Sequence, residues 1–305
     1  MAAVAISARG LTKFYGQNLA LDRADLDVHA GEIFGFLGPN GAGKTTTIRI
    51  LLDLIRPSSG KASVLGLDPQ HDSVAIRDRI GYLPGEVSVY ERMTGAEFLD
   101  YAASFHTRRD DALRARLAER LGIDLGKRLG RLSKGMKQKV AIIQALMHDT
   151  ELLILDEPTS GLDPLAQHEF YDILREEQAR GKTVFMSSHN LAEVERVCAR
   201  VAIIRAGRVI LTGDVQELKR RKKRVIEVSF TDDVAEEELV FPNVSDLVAV
   251  RNTGKHFRFA VVGDLNPILG LFARHQVQGL SVEDASLEDI FMEYYSQDEN
   301  EKKQA

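Results

Sequence analysis

The chain has 305 residues, 44% hydrophobic and 28% charged, a globular balance that excludes disordered and fibrous classes and leaves room for about two domains. Its net charge of −5 argues against a protein whose work is coating nucleic acid, and its longest apolar runs fall far short of the ~20 residues that span a bilayer. The N-terminal segment lacks the charged-then-apolar layout of a secretory signal, and the single cysteine, Cys198, permits no internal disulfide or cysteine metal cage, so a soluble cytoplasmic chain is expected.

Up to about residue 215, apolar runs of strand length alternate with amphipathic stretches, as in an α/β sheet. The first strand is expected at 33–37 and its near-continuous apolar content implies burial on both faces. Gly38-Pro39-Asn40-Gly41-Ala42-Gly43-Lys44-Thr45-Thr46 follows at once, and a helix is expected over 46–55. Gly-x-x-x-x-Gly-Lys-Thr between a strand and a helix is a phosphate-binding loop: its glycines let successive N–H groups converge on phosphate oxygens at the positive end of the helix. Lys44 is then placed to reach the β- and γ-phosphates and the Thr45 hydroxyl to ligate Mg²⁺.

A second strand is expected at 81–83. Phe98, Tyr101, Ala102, Phe105, Leu113, Leu117 and Leu121 have helical spacing, which predicts a helical subdomain (about 88–145) inserted into the sheet. Phe98, Tyr101 and Phe105 are expected to be ordinary core. A third strand, 152–155, runs into Asp156-Glu157-Pro158, two carboxylates at the edge where open α/β sheets bind ligands. Asp156 suits Mg²⁺ held through water, and Glu157 suits a general base that polarises an attacking water. The pairing reads as Mg-nucleotide hydrolysis, and no asparagine is followed by lysine, so the guanine-reading signature of a GTPase is absent. A fourth strand is expected at 183–187, and Cys198 is expected to pack beside Val194 and Leu191 on a helix face.

An unbroken basic run, residues 219–224, marks a boundary and reads chiefly as a solvated linker, with anionic lipid headgroups as the main alternative contact and nucleic acid as the lesser one. Acidic Glu236, Glu237 and Glu238 follow. Strand 225–230, a hairpin of 247–251 and 256–262 about Asn252-Thr253-Gly254-Lys255, and helices over 267–275 and 287–295 predict a small α+β domain. The division is therefore 1–218, linker 219–224, domain 225–296 and charged tail 297–305.

Between the phosphate loop and the Asp-Glu strand, Leu132-Ser133-Lys134-Gly135-Met136-Lys137-Gln138 resembles the Leu-Ser-Gly-Gly-Gln signature of ABC-type ATPases. Six elements fall in that family's order over about 175 residues: Tyr15 in Lys13-Phe14-Tyr15-Gly16, the phosphate loop, the segment around Gly85, the signature, the Asp-Glu strand with Ser160-Gly161-Leu162-Asp163, and His189 ending Ser187-Ser188-His189. The resemblance implies a P-loop NTPase sheet in which Tyr15 stacks on adenine, His189 contacts the γ-phosphate and attacking water, and Asp163 couples two sites. It implies that Leu132, Ser133, Lys134, Gly135 and Met136 face ATP held by a second ATP-binding subunit, a copy or a homologue. ATP and Mg²⁺ are the expected ligands. A membrane permease is the expected partner and nucleic acid is not, which places the chain peripherally on the cytoplasmic face of a bacterial cell membrane.

Two elements depart from the pattern. Lys134 and Met136 replace Gly and Gln in the signature, and Gly85 stands where the family has the Gln that touches Mg²⁺. At Gly85 either Mg²⁺ keeps an extra water or Glu86 reaches in; the first is favoured, because Glu86 would add negative charge beside phosphates. Leu83-Pro84-Gly85-Glu86, Tyr90-Glu91-Arg92-Met93-Thr94-Gly95 and Ser286-Leu287-Glu288-Asp289-Ile290-Phe291 resemble ATPases serving ABC-2-type exporters, including drug-resistance and sodium-efflux systems. Cargo implied by that subgroup is drugs, lipids or other small molecules. The competing readings are a soluble ABC-type ATPase unlinked to transport and a nucleotide-binding regulator with weak hydrolysis.

Overall fold

The computed structural model describes residues 3–105, 110–220, 224–235, 239, 244–249, 255–261 and 265–283. The chain forms two compact units that divide between Gly213 and Asp214.

The first unit opens with β1 (Val4–Tyr15) and β2 (Asn18–His29), then β3 (Ile33–Leu37), α1 (Lys44–Leu51), β4 (Ser59–Val64), α2 (Pro69–Asp78) and β5 (Ile80–Leu83). Helices α3 (Gly95–Ala103), α4 (Asp111–Arg120) and α5 (Lys134–Leu146) follow, then β6 (Leu152–Asp156), α6 (Pro164–Ala179), β7 (Thr183–Ser188), α7 (Leu191–Val197), β8 (Arg200–Arg205) and β9 (Arg208–Asp214). Six strands pair in the order β5-β6-β7-β3-β8-β9, and the pairs from β5 to β8 are parallel. Every residue of β3, β6 and β7 is buried, as continuous apolar strands covered on both faces require. Phe34 and Phe36 meet Phe185 across the sheet at ring-centroid distances of 6.1 and 5.5 Å.

A second, antiparallel sheet, β2-β1-β4, has no counterpart in the sequence reading. Register shifts recur along β1 between Val4 and Phe14, and these bulges break the alternation by which a half-buried strand is recognised. Helix α1 starts two residues before its expected start and ends at Leu51, because Gly43 at φ 112° turns the chain into the helix and Asp53 at φ 52° takes it out.

The helical subdomain is present, with Thr94 and Glu97 forming a capping box at the start of α3. The aromatic residues expected as core are not core. Gly95, Leu99 and Ala103, four residues apart, take the buried face of α3, while Tyr101 and Phe105 stand exposed with Phe98 partly covered. Tyr90 joins them edge-on at 5.6 Å from Tyr101, and Tyr101 lies 5.1 Å from Phe105. Cys198 is buried as expected, against Val194, but caps the end of α7 rather than lying on its face; burial pushes its thiol pKa well up.

The second unit contains α8 (Val215–Arg220), β10 (Arg224–Phe230), β11 (Val244–Ala249), β12 (His256–Val261), α9 (Asn266–Phe272) and β13 (Val277–Glu283), with an antiparallel sheet ordered β11-β12-β10-β13. Ile226, Val228, Phe230, Phe257, Ile268 and Phe272 supply its core. Lys219 and Arg220 of the basic run lie in α8 and Arg224 opens β10, so the run is not a linker throughout. Its middle residues 221–223, acidic 236–238, the turn residues 252–254, the helix expected over 287–295, the segment 286–291 and the tail 297–305 lie outside the described residues. No helix among the described residues is long and apolar enough to cross a membrane.

Candidate active site

Strand order brings the carboxyl ends of β6, β7 and β3 side by side, although the chain visits β3 first and the others more than a hundred residues later. Leu37 pairs with Ser188 and Asp156 with Ser187, so the loop 38–43 and the residues just past β6 and β7 share one sheet edge. Gly38 N–H donates to the Ser188 carbonyl at 3.1 Å, tying the phosphate loop to the end of β7. Asn40 and Gly41 face outward, Pro39 is partly covered, Ala42 is buried, and Thr46 is partly covered on the first turn of α1.

Lys44 is 6% exposed, and its Nζ donates to the Gly38 and Pro39 carbonyls at 2.6 and 3.2 Å. The same Nζ pairs with Glu157 Oε1 at 3.1 Å, and Glu157 Oε2 meets His189 Nδ1 at 2.7 Å. The three residues expected to be catalytic therefore form one contiguous cluster. His189 stays more than half exposed, open to a reactant, while Lys44 is held beneath the loop. Thr45 Oγ1 donates to Asp156 Oδ2 at 2.8 Å, bringing the two oxygen groups expected at Mg²⁺ together.

The donor set fits that ion. One carboxylate and one hydroxyl are hard oxygen ligands, and Mg²⁺ is ordinarily completed by phosphates and waters rather than by a protein cage. Among the described residues there is no cluster of three or more His, Cys, Asp or Glu that could hold a metal ion. At Gly85 a Cβ would stand 3.2 Å from Asp156 Oδ2, closer than an ordinary contact, so the absent side chain lets this backbone lie tightly against that carboxylate. Glu86 is exposed, and lines with Gly85, Val87, Lys134, Lys137 and Gln138 a groove of about 360 Å³.

The signature forms the start of α5. Leu132 is buried, the Ser133 hydroxyl accepts from Met136 N–H at 3.3 Å as the helix cap, and Lys134 and Gly135 begin the first turn. Its contacts lead to residues 158–163: Gly135 packs so closely on the Gly161 carbonyl that a Cβ would lie 2.4 Å from it, and Gln138 Nε2 donates to the Pro158 carbonyl at 2.8 Å. Asp163 caps α6 by accepting from Ala166 N–H, which lowers its carboxyl pKa, and pairs with Lys139 at 3.5 Å. Tyr15 ends β1, exposed, with Lys13 Nζ 5.3 Å from its ring centroid.

Two polar residues in this region had no role assigned from sequence. Ser187, fully buried, donates to Asp156 Oδ1 at 2.5 Å and accepts from Glu157 N–H at 3.0 Å. Glu193, also buried, accepts from Ser188 at 2.7 Å and from Thr159. The available signal was the change from Val-Phe-Met to two serines at the carboxyl end of a buried strand.

Residues 21–160 match the family described as ABC transporter, and residues 213–295 match the family described as ATP-binding protein DrrA1-3-like, C-terminal domain. The chain is 33% identical over 292 residues to the fluoroquinolones export ATP-binding protein of Mycobacterium tuberculosis, covering 94% of this chain and 92% of that one. It is 44% identical over 209 residues to an ABC transporter ATP-binding protein of Nostoc sp., and that match spans 66% of this chain and only 61% of the relative's length. A solved structure of an ATP binding subunit of an ABC transporter superposes with a TM-score of 0.65 at 32% identity, over 70% of this chain and 92% of that one.

Proposed function

Since this chain belongs to the ABC transporter ATP-binding family, we propose that it hydrolyses Mg-ATP at the interface of two such subunits and thereby drives a separate membrane permease, as part of an exporter. The observation that carries the reading is the Lys44–Glu157–His189 cluster lying beside the Thr45–Asp156 pair.

The loop 38–43 and Lys44 hold the β- and γ-phosphates, with the N-terminus of α1 adding its dipole. Thr45, and Asp156 through water, would hold Mg²⁺, which when bound would neutralise charge developing on the γ-phosphate. Glu157 accepts a proton from the attacking water, and His189, hydrogen-bonded to it, orients that water and contacts the γ-phosphate. Tyr15 offers a face for adenine. The capped start of α5, with the Ser133 hydroxyl and the Gly135 backbone, supplies an anion site for the nucleotide of a second subunit, and Asp163, at the start of α6, couples the two sites across that interface. Gly85, having no side chain, would offer Mg²⁺ no ligand, and a water would serve in its place.

The permease docks on the groove at 85–87 and the exposed aromatic face of Tyr90, Tyr101 and Phe105, an apolar surface that a solvated helix face does not need. The fluoroquinolone-exporting relative, matched along nearly its whole length, supports small-molecule export as the cargo class.

The test is ATP turnover by the full chain purified with its membrane partner. Glu157→Gln is expected to lower kcat by about 10²–10⁴-fold while ATP binding persists, the usual share of a general base. Unchanged turnover would reject Glu157 as the base, and a chain that neither hydrolyses ATP nor copurifies with a membrane protein would reject the transport reading.

A further inference from the structure

We propose that Ser187 is a positioning residue for hydrolysis, a single hydroxyl that fixes both the metal-binding carboxylate of Asp156 and the backbone of the general base Glu157. The inference rests on the hydrolytic role assigned above to Glu157. Ser187 pairs with Asp156 at the last rung of the β6–β7 ladder. Beyond that rung the chain leaves the strand, with Glu157 in the left-handed region at φ 49°, a conformation that non-glycine residues hold only when their surroundings impose it.

Ser187 Oγ imposes it, accepting the Glu157 N–H at 3.0 Å where strand pairing has ended. The same oxygen carries one proton, and it is donated to Asp156 Oδ1 at 2.5 Å. Asp156 Oδ2 is thereby left to Thr45. Both bonds are shielded, since Ser187 is 0% and Asp156 1% exposed, so no water replaces either one when it is lost. The Glu157 side chain meanwhile spans Lys44 and His189, at 3.1 and 2.7 Å. A backbone rotation at residue 157 would break that reach, and displacement of a reacting group by about 1 Å costs on the order of 10²-fold in rate.

The test compares the unaltered chain with Ser187→Ala, Ser187→Thr and Glu157→Gln, each as the full chain with its membrane partner. ATP turnover is measured alongside amide hydrogen exchange over residues 152–160. Ser187→Ala is expected to lower kcat by about 20-fold or more with the KM for ATP within about 2-fold, and to speed exchange at Glu157. Ser187→Thr, which keeps the hydroxyl, is expected to recover most of the rate and the protection. A Ser187→Ala chain with full kcat, or one whose KM rises in step with the loss of kcat, would overturn the proposal while a dead Glu157→Gln left the hydrolytic reading intact. Full turnover in Glu157→Gln would overturn both.

Discussion

Replacing Gly35 by alanine tests whether the sheet and α7 are packed as closely as the geometry states. A Cβ at this position would lie 2.7 Å from Val194 Cγ1 and 3.0 Å from Cys198 Sγ, against an ordinary carbon–carbon contact of ~3.5–4.0 Å. The overlap is about 1 Å, and neither side yields easily. Gly35 is paired to Met186 on one flank and Val201 on the other, and the valine has few rotamers available. Overpacking of this kind costs about 2 kcal/mol. Val194→Ala alone removes two fully buried methyl groups and costs a further ~2 kcal/mol with its cavity. If the clash is with those methyls, the double variant refills the space it empties and loses only about 2 kcal/mol in all, a coupling of about 2 kcal/mol. The chain has no tryptophan, so urea unfolding is followed by far-ultraviolet circular dichroism. Equal losses from Gly35→Ala in the wild-type and Val194→Ala backgrounds would refute the packing.

Lys182 and Glu177 form a buried pair at 2.7 Å, with side chains 10% and 3% exposed. Arg180 also meets Glu177, at 2.6 Å, so Lys182→Met leaves that carboxylate one partner and is expected to destabilise by about 2 kcal/mol, and Lys182→Met combined with Glu177→Leu by clearly less than the separate losses together, in the same urea assay. Burial pushes the Cys198 thiol up. The folded chain then keeps its proton while the unfolded chain releases it, so stability falls as pH rises past about 8.5, and Cys198→Ala flattens that slope. A thiol reagent at pH 8 is expected to label Cys198 at the rate of unfolding rather than at the rate of a free thiol.

What the sequence made legible follows from how strongly each segment is constrained. The loop 38–45 was readable because Gly43 at φ 112° admits few other residues, and β3, β6 and β7 because burial on both faces demands an unbroken apolar run. The β1-β2-β4 sheet was not, since bulges scramble its period. On α3 the spacing of Phe98, Tyr101 and Phe105 gave a face but not its direction: the smaller residues Gly95, Leu99 and Ala103 turned inward because α3 lies close to its neighbours, Gly95 against Leu125. Ser187 escaped because its partners stand some thirty positions away and only the strand register unites them.

That register accounts for the whole site. Nothing in α1, β6 or β7 alone holds Lys44, Glu157 and His189 within 3.1 Å of one another in turn. They meet because the β3–β7 and β6–β7 ladders both end at 187–188, leaving three chain exits at one height. A slip of β7 by one residue against both of its neighbours would turn Ser187 to the opposite face of the sheet, taking its hydroxyl from Asp156 and Glu157 at once. The phosphate loop would lose the Gly38–Ser188 bond in the same movement. The packing of Phe34 and Phe36 against Phe185 opposes the same slip, because moving β7 along β3 would part those rings as well, so it holds the register of the site besides contributing to stability.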